Sequence, residues 1–307
     1  MHKFDYHQPQ TLHEAFRLME NHKGRARYVA GGTDLLIRIK RGAIQPDALV
    51  SLRGIKELRG IERVSFTQPQ GSGAKDRRDG GVTLGGMTLI RDLEKDPVFT
   101  GDYPVLAQAA CVLASPQIRN VATVGGNLAN AAPSADCAPP LIVLDARLTL
   151  EGPGGKRDVP IDDFFTGPGR TCCDDLEIMT RITIPPQAEN TGTAFLKLGR
   201  VSQDIAVINV AALLVMEKGV CRKCRLAVGG VAPIPLRLKK VEKVMEGREV
   251  DDNLLDLAGG MVEQEVSPST RTRARVRAQY RRVVAGVMVR RALRQALQCT
   301  VDAGKRK

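Results

Sequence analysis

Ala30-Gly31-Gly32-Thr33-Asp34 and, far downstream, Thr123-Val124-Gly125-Gly126-Asn127 are the two stretches on which the reading of this chain turns. Each follows a short apolar run, residues 27–30 and 121–124. Glycine has no Cβ, so paired glycines let main-chain N–H groups approach an anion that side chains would hold away. One Gly-Gly pair most often does no more than reverse the chain. Two, each tied to small polar residues, suggest a long ligand gripped at two points, such as a dinucleotide.

Outward from these turns, the pattern is mixed. Thr11-Leu12-His13-Glu14 is a capping box opening a helix over residues 12–22, with Leu12, Ala15, Phe16 and Met19 on one face. Strands are expected at 27–30, 49–52, 61–66 and 82–85, and a short helix at 35–40. Residues 67–81 carry almost nothing apolar and read as an exposed insertion in a hairpin. Helices follow at 90–96, 104–113 and 140–144, then a hairpin through Gly152-Pro153-Gly154-Gly155. After Pro185-Pro186 a linker, 187–192, leads to a further α+β region. There 193–198 continues the chain, 205–216 reads as a helix, 222–228 as a strand, and two helices close it. Two domains are expected, 1–186 (subdomains 1–60 and 61–186) and 193–300, with 301–307 as a basic tail.

Composition narrows the class. A chain of 307 residues buries a substantial core. No apolar run approaches the roughly 20 residues needed to span a bilayer, and Met1-His2-Lys3-Phe4-Asp5-Tyr6 lacks a secretory core, so a cytoplasmic location is expected. The seven cysteines are irregularly spaced, which disfavours a disulfide framework. Cys221-Arg222-Lys223-Cys224 has CxxC spacing, but no second pair or nearby histidine completes a metal site, and strand alternation would point the two sulfurs apart. Cys172-Cys173 is read the same way, as reduced structural thiols. Residues 221–307 hold 20 Lys plus Arg against 9 Asp plus Glu, most of the net charge of +12. Aromatics are only 4%, too few for base-stacking platforms, and Val276, Tyr280, Val283, Val287, Leu293 and Leu297 recur as one helix face would. A solvated helix, or one docked on an acidic partner, is therefore preferred to a nucleic-acid surface.

All four histidines lie within the first 22 residues, away from the second glycine turn, so neither a Ser-His-Asp triad nor a zinc hydrolase is expected. GxGxxG and GxxxxGK[ST] are absent, which disfavours the common dinucleotide and P-loop folds. No catalytic acid or base and no metal ligand is assigned.

The motifs taken together resemble a family. Ala30-Gly31-Gly32-Thr33-Asp34-Leu35-Leu36, the run from Thr123 to Asp136, Asp163-Phe164-Phe165-Thr166-Gly167 and Asp204-Ile205-Ala206-Val207 are similar to the FAD-binding subunit of molybdenum hydroxylases, the xanthine and carbon monoxide dehydrogenase type. Gly229-Gly230-Val231-Ala232-Pro233, Tyr280-Arg281-Arg282 and Val289-Arg290-Arg291-Ala292 resemble its C-terminal domain. The resemblance implies an α+β chain: a vanillyl-alcohol-oxidase-type FAD domain of two α/β subdomains, then a CO-dehydrogenase-flavoprotein C-terminal domain. It places Ala30, Gly31, Gly32, Thr33, Asp34 and Leu35 around the FAD pyrophosphate, with Thr123, Gly125, Gly126 and Asn127 completing the cradle. Asp136 corresponds to a cofactor contact, with a helix cap as its plainer alternative. Ile178 or Met179 would pack on adenine or simply be core, and Lys197 would sit by the flavin ring or on the surface. Asp204 would pair with Lys197 or with a flavin-side group, or serve as a cap.

Departures from the family are informative. Leu113 stands where relatives have an aromatic, and Gly167-Pro168-Gly169-Arg170 replaces Gly-Tyr-Arg. No histidine or cysteine sits in the turns, so FAD is expected to be non-covalent. The segment 67–81 lacks the cysteines of 4-hydroxybenzoyl-CoA reductases. The resemblance further implies a molybdopterin-binding large subunit and a small subunit with two [2Fe–2S] clusters, as a dimer of heterotrimers, with an acceptor such as NAD or a quinone. Two rivals stay open: a stand-alone FAD oxidoreductase of the same fold, and a basic nucleic-acid-binding module.

Overall fold

The computed structural model describes residues 3–65, 80–268 and 277–305, the last five as main chain only. The first lobe comprises β1 (Asp5–His7), α1 (Leu12–Asn21), β2 (Ala26–Val29), α2 (Leu35–Lys40) and β3 (Ala48–Ser51). Its three strands are parallel in the order β1-β3-β2. α1 starts as its capping residues dictate: Thr11 Oγ1 accepts from the Glu14 N–H, and the Glu14 carboxylate accepts from the Gln10 N–H. Leu12, Ala15, Phe16 and Met19 then bury against Val50 and Ile55. The three-residue edge strand β1 has no apolar alternation and was not expected from sequence.

The second lobe opens with the antiparallel pair β4 (Ile61–Val64) and β5 (Gly81–Gly85). The loop expected between them lies largely outside the described residues. Six helices follow: α3 (Ile90–Lys95), α4 (Pro97–Gly101), α5 (Pro104–Cys111), α6 (Pro116–Arg119), α7 (Val124–Ala129) and α8 (Ala138–Val143). α4 and α6 were not expected. Each starts with proline and an oxygen cap, Asp96 or Ser115, but each is too short for periodicity to register. Next come β6 (Arg147–Gly152), β7 (Gly155–Pro160), the small pair β8 (Phe165–Gly167) and β9 (Arg170–Thr171), and β10 (Ile178–Ile184). The main sheet is antiparallel in the order β4-β5-β10-β6-β7.

The remainder is β11 (Thr191–Leu198), β12 (Ile208–Glu217), β13 (Val220–Gly229), β14 (Leu236–Arg237), α9 (Lys239–Met245), α10 (Asp252–Glu265) and α11 (Ala278–Lys305). The helix expected at 205–216 is the central strand β12. Ile208, Val210, Ala212 and Leu214 face the helices α9–α11, while Ala211 and Leu213 face the second lobe. A strand buried on both sides reads as an unbroken apolar run, which periodicity cannot separate from a buried helix.

Two further expectations are corrected. Cys221 and Cys224 share one face, both fully buried beside Leu226 and Val228. The ladder shifts register between Val215 and Met216, so Arg222 is an extra residue and the alternation skips a step. Burial raises the Cys221 thiol to about 11 and Cys224 well above its ordinary value, as suits inert structural thiols. On α11 the buried face is Ala285, Met288, Val289, Ala292, Leu293 and Ala296; Tyr280, Val283 and Val287 are exposed, and Val276 lies outside the described residues. Small residues define this face because α10 approaches closely: a Cβ on Gly286 would lie 2.5 Å from the Gly259 carbonyl oxygen. Arg290 pairs with Asp256 and Arg294 with Asp252, so part of the basic run is engaged within the chain. α11 continues to Lys305, through residues expected as a tail.

The C-terminal sheet docks on α5 and α8 through a charged joint. Asp145, just after α8, receives Lys223 Nζ at 2.7 Å and Arg237 at 3.2 Å, with Arg225 at 3.4 Å. Burial by itself would raise the Asp145 carboxyl, but the three cations outweigh it and leave its pKa below the ordinary value. The unfolded state therefore binds more protons in that window. The joint's stabilisation is full above about pH 4 and lost as pH falls through the folded pKa. Asp145→Asn, which tolerates the local φ of 52°, should lower stability by about 2 kcal/mol at pH 7. Urea titrations of both proteins at pH 7 and pH 3 check this; a gap that does not close in acid would refute the assignment.

Among the described residues, no helix is long and apolar enough to cross a membrane.

Candidate functional site

The first glycine turn leaves β2 and enters α2. Gly32 has φ +75°, the left-handed region where a side chain is strained. Among the described residues the turn's N–H groups from Gly31 to Leu35 have no backbone acceptor, and the first helical bond runs from Leu36 N–H to the Gly32 carbonyl. These residues line the cleft described below, and their amides are left available to an anion.

The second turn behaves differently. Thr123 is the N-cap of α7, and its Oγ1 accepts from the Gly126 N–H at 3.0 Å. Val124 N–H donates to Thr88, Gly125 N–H to Gly86 and Asn127 N–H to Thr123. These amides are spent inside the protein, which corrects the expectation that they complete an amide cradle. Here the missing Cβ atoms serve close packing. A Cβ on Gly125 would stand 2.5 Å from the Gly86 carbonyl oxygen, and one on Gly86 would stand 2.0 Å from that of Met179. This stack sets α7 against β5 and β10.

The two turns meet. A Cβ on Gly31 would lie 2.2 Å from the Val121 carbonyl oxygen, and one on Gly126 would lie 3.7 Å from Ala30 Cβ. Between them runs a cleft of about 560 Å³, and every sequence-predicted site residue lines it: the first turn from Ala30 to Leu35, Leu113, Thr123, Gly125, Gly126, Asn127, Asp136, Ile178, Met179 and Lys197. Its size falls within the usual range for ligand sites, mostly apolar with a few convergent polar groups.

Lys197 is buried, with its side chain 6% exposed, and not a free surface cation. Its Nζ donates to Asp136 Oδ2 at 2.6 Å and to the Val112 carbonyl at 3.0 Å, while Asn209 Nδ2 donates to Asp136 Oδ1 at 2.8 Å. The charges at this edge of the cleft therefore largely cancel, and the partner of Lys197 is Asp136. Burial pushes the Asp136 carboxyl up, against the pull of Lys197 and Asn209. Asp204 also lines the cleft, and its carboxylate pairs with Arg200 at 2.7 Å.

Sequence reading missed Gly86, Asn209 and Arg119. The buried Arg119 guanidinium donates to the Leu113 and Ala114 carbonyls, both at 3.1 Å, and to Glu94 at 2.9 Å, fixing the loop that forms one cleft wall. A lone arginine gives no spacing signal, and Asn209 is legible only once β12 is known to pass under the Asp136 loop.

The cleft passes a direct test for an extended phosphate-bearing cofactor: unengaged amides at one end, a Cβ-free seam in the middle and apolar walls from Leu113, Ile178 and Met179. Comparison with known proteins agrees. The family described as FAD binding domain in molybdopterin dehydrogenase matches residues 2–187, and CO dehydrogenase flavoprotein C-terminal domain matches residues 193–296. The chain belongs to the FAD-binding subunits of the molybdenum hydroxylase family, an oxidoreductase family whose members carry FAD on this chain. It is 35% identical over 271 residues to a xanthine dehydrogenase FAD-binding subunit of Escherichia coli O157:H7, covering 88% of each chain. It is 33% identical over 294 residues to the carbon monoxide dehydrogenase medium chain of Hydrogenophaga pseudoflava, covering 96% of this chain and 97% of that one. Among solved structures, reconstituted CO dehydrogenase from Oligotropha carboxidovorans superposes with TM-score 0.88 at 32% identity, over 97% of this chain and 98% of that one.

Proposed function

We propose that this chain is the electron-transfer subunit of a heteromeric molybdopterin-dependent dehydrogenase. In this reading a small partner holds [2Fe–2S] clusters, a large partner holds the molybdopterin centre, and electrons leave to an acceptor such as NAD or a quinone. FAD, when bound, supplies the two-electron carrier between one-electron clusters and that acceptor. The observation that carries the reading is the seam between the two glycine turns, with the run of unengaged amides, Gly31 to Leu35, on the first.

Within it, the amides from Gly31 to Leu35 hold the pyrophosphate by charge-assisted hydrogen bonds, roughly twice as strong as neutral ones. Gly126 and Gly125 keep the opposite wall flat. Ile178 and Met179 give an apolar floor, and the Lys197–Asp136–Asn209 group braces the far edge. Ile37 and Ile205, exposed at the rim, offer an apolar edge on which a partner can seat. Residues 1–186 supply most of the cofactor site and 193–300 brace its far edge and support docking, in a cytoplasmic complex arranged as a dimer of heterotrimers.

Co-purification with native partners tests this. The expected product is yellow-brown, with flavin, iron and molybdenum and the absorption of both FAD and [2Fe–2S] clusters. FAD alone would favour a stand-alone oxidoreductase. Colourless protein with steeply salt-dependent DNA affinity would favour the basic binding module.

A further inference from the structure

Away from the cleft, Asp5, His7 and His22 each bring one ligand atom to within 4.8 Å of the others. Two-residue alternation places Asp5 and His7 on the same face of β1, and His22 caps the C-terminus of α1 beside them. His22 Nδ1 lies 2.8 Å from the Leu18 carbonyl oxygen. A carbonyl only accepts, so Nδ1 carries a proton, and in the neutral ring Nε2 is the atom with a lone pair for a metal. Metal-binding histidines are oriented in this way. His7 Nε2 is buried with no hydrogen-bond partner among the described residues. The two rings are 5.5 Å apart and tilted by 56°, not stacked, so their edges can turn toward a common point.

We propose that Asp5, His7 and His22 form a binding site for a divalent transition-metal ion of the zinc class. Two imidazoles and one carboxylate suit such an ion, whereas magnesium and calcium prefer all-oxygen sites. Rotation of the exposed Asp5 carboxylate and of the rings brings the ligand atoms to the roughly 3.4 Å spacing of a tetrahedron with bonds near 2.1 Å. Three protein ligands leave the fourth position to water. The bound ion ties the short edge strand β1 to the end of α1, immediately before β2 and the first glycine turn. Its contribution is to order the first lobe, apart from electron transfer.

The test uses the full chain without an affinity tag, stripped with a chelator and titrated with Zn²⁺ by calorimetry and with Co²⁺ by visible absorption. One ion per chain is expected. His7→Ala and His22→Gln should each weaken binding by at least about 100-fold, while His13→Ala, exposed on the same helix, should leave it unchanged. Flavin content and circular dichroism report whether the variants fold. On the wild type, Zn²⁺ should protect His7 and His22, but not His13, from diethyl pyrocarbonate. No binding by the wild type, wild-type affinity in both ligand variants, or absence of that protection would overturn the site.

Discussion

Gly31→Ala is expected to cost this protein its FAD. The new methyl would stand 2.2 Å from the Val121 carbonyl oxygen and 2.9 Å from Ala122 Cα. Both are main-chain atoms, so no side-chain rotation relieves the clash. Relief requires the first turn to part from the segment leading into α7, which opens the seam between the lobes. Overpacking of this kind costs about 1–3 kcal/mol, occasionally more, and a shift of the free amides by even an ångström adds to it. Together these imply a loss of FAD affinity of about 100-fold, at roughly 1.4 kcal/mol per factor of ten. Flavin-to-protein absorbance after desalting, and a fluorescence-quenching titration of apoprotein, measure it. Gly101→Ala is the control, because beyond its own helical turn and chain neighbours nothing lies within 4 Å of its Cβ position. Equal flavin retention by the two variants would sink the proposed cradle. Gly32→Val and Gly126→Val should act in the same direction. The first strains a left-handed residue against Leu36; the second presses on Thr123 Oγ1, 2.8 Å from the added Cβ.

Removing the lysine from the buried pair should have the largest effect on stability. Lys197→Met leaves the Asp136 carboxylate, 8% exposed, with Asn209 as its remaining side-chain donor. Breaking a buried pair on one side typically destabilises by about 3–5 kcal/mol, because the other charge stays buried without compensation. The pH dependence gives a second reading. Burial already raises Asp136, and loss of Lys197 raises it further. A carboxyl whose folded pKa lies above its unfolded value holds its proton in the native state. Stability then falls as pH rises from the unfolded pKa, about 3.9, through the folded one. The deficit of Lys197→Met relative to wild type should therefore widen from pH 4 toward neutrality. Adding Asp136→Leu should recover part of it, since an apolar pair often replaces a buried ion pair without loss. A denaturation midpoint for Lys197→Met matching wild type at pH 7 would mean that the pair carries no such weight.

Asp136 and Lys197 show how far a sequence can point. Both were identified as cleft residues from motif position, and both line it. Their partnership was invisible because 61 positions separate them. Only the passage of β11 and β12 beneath the loop after α7 brings Lys197 and Asn209 to the same carboxylate. The same holds for the second glycine turn. Its sequence correctly marks a place without room for side chains, but the atoms that need that room are the Gly86 and Met179 main chains, not a ligand's oxygens alone.

Local chemistry by itself determined the elements that rest on short-range rules: α1 from its cap and apolar face, α2 after the first turn, the β6–β7 hairpin from its glycines, and the pair of turns that announce the cofactor. Those features depend on backbone conformations and on side chains within a few positions, so they are written in consecutive residues. Tertiary packing decided the rest. β12 is a strand because it is covered on both faces, α11 buries its small residues because α10 comes close, and Cys221 joins Cys224 because the ladder slips by one. The run of free amides lies on the first turn, since Val124 to Asn127 on the second have their own protein acceptors. Each of these outcomes depends on which distant surface arrives, and such pairings leave no period in the chain.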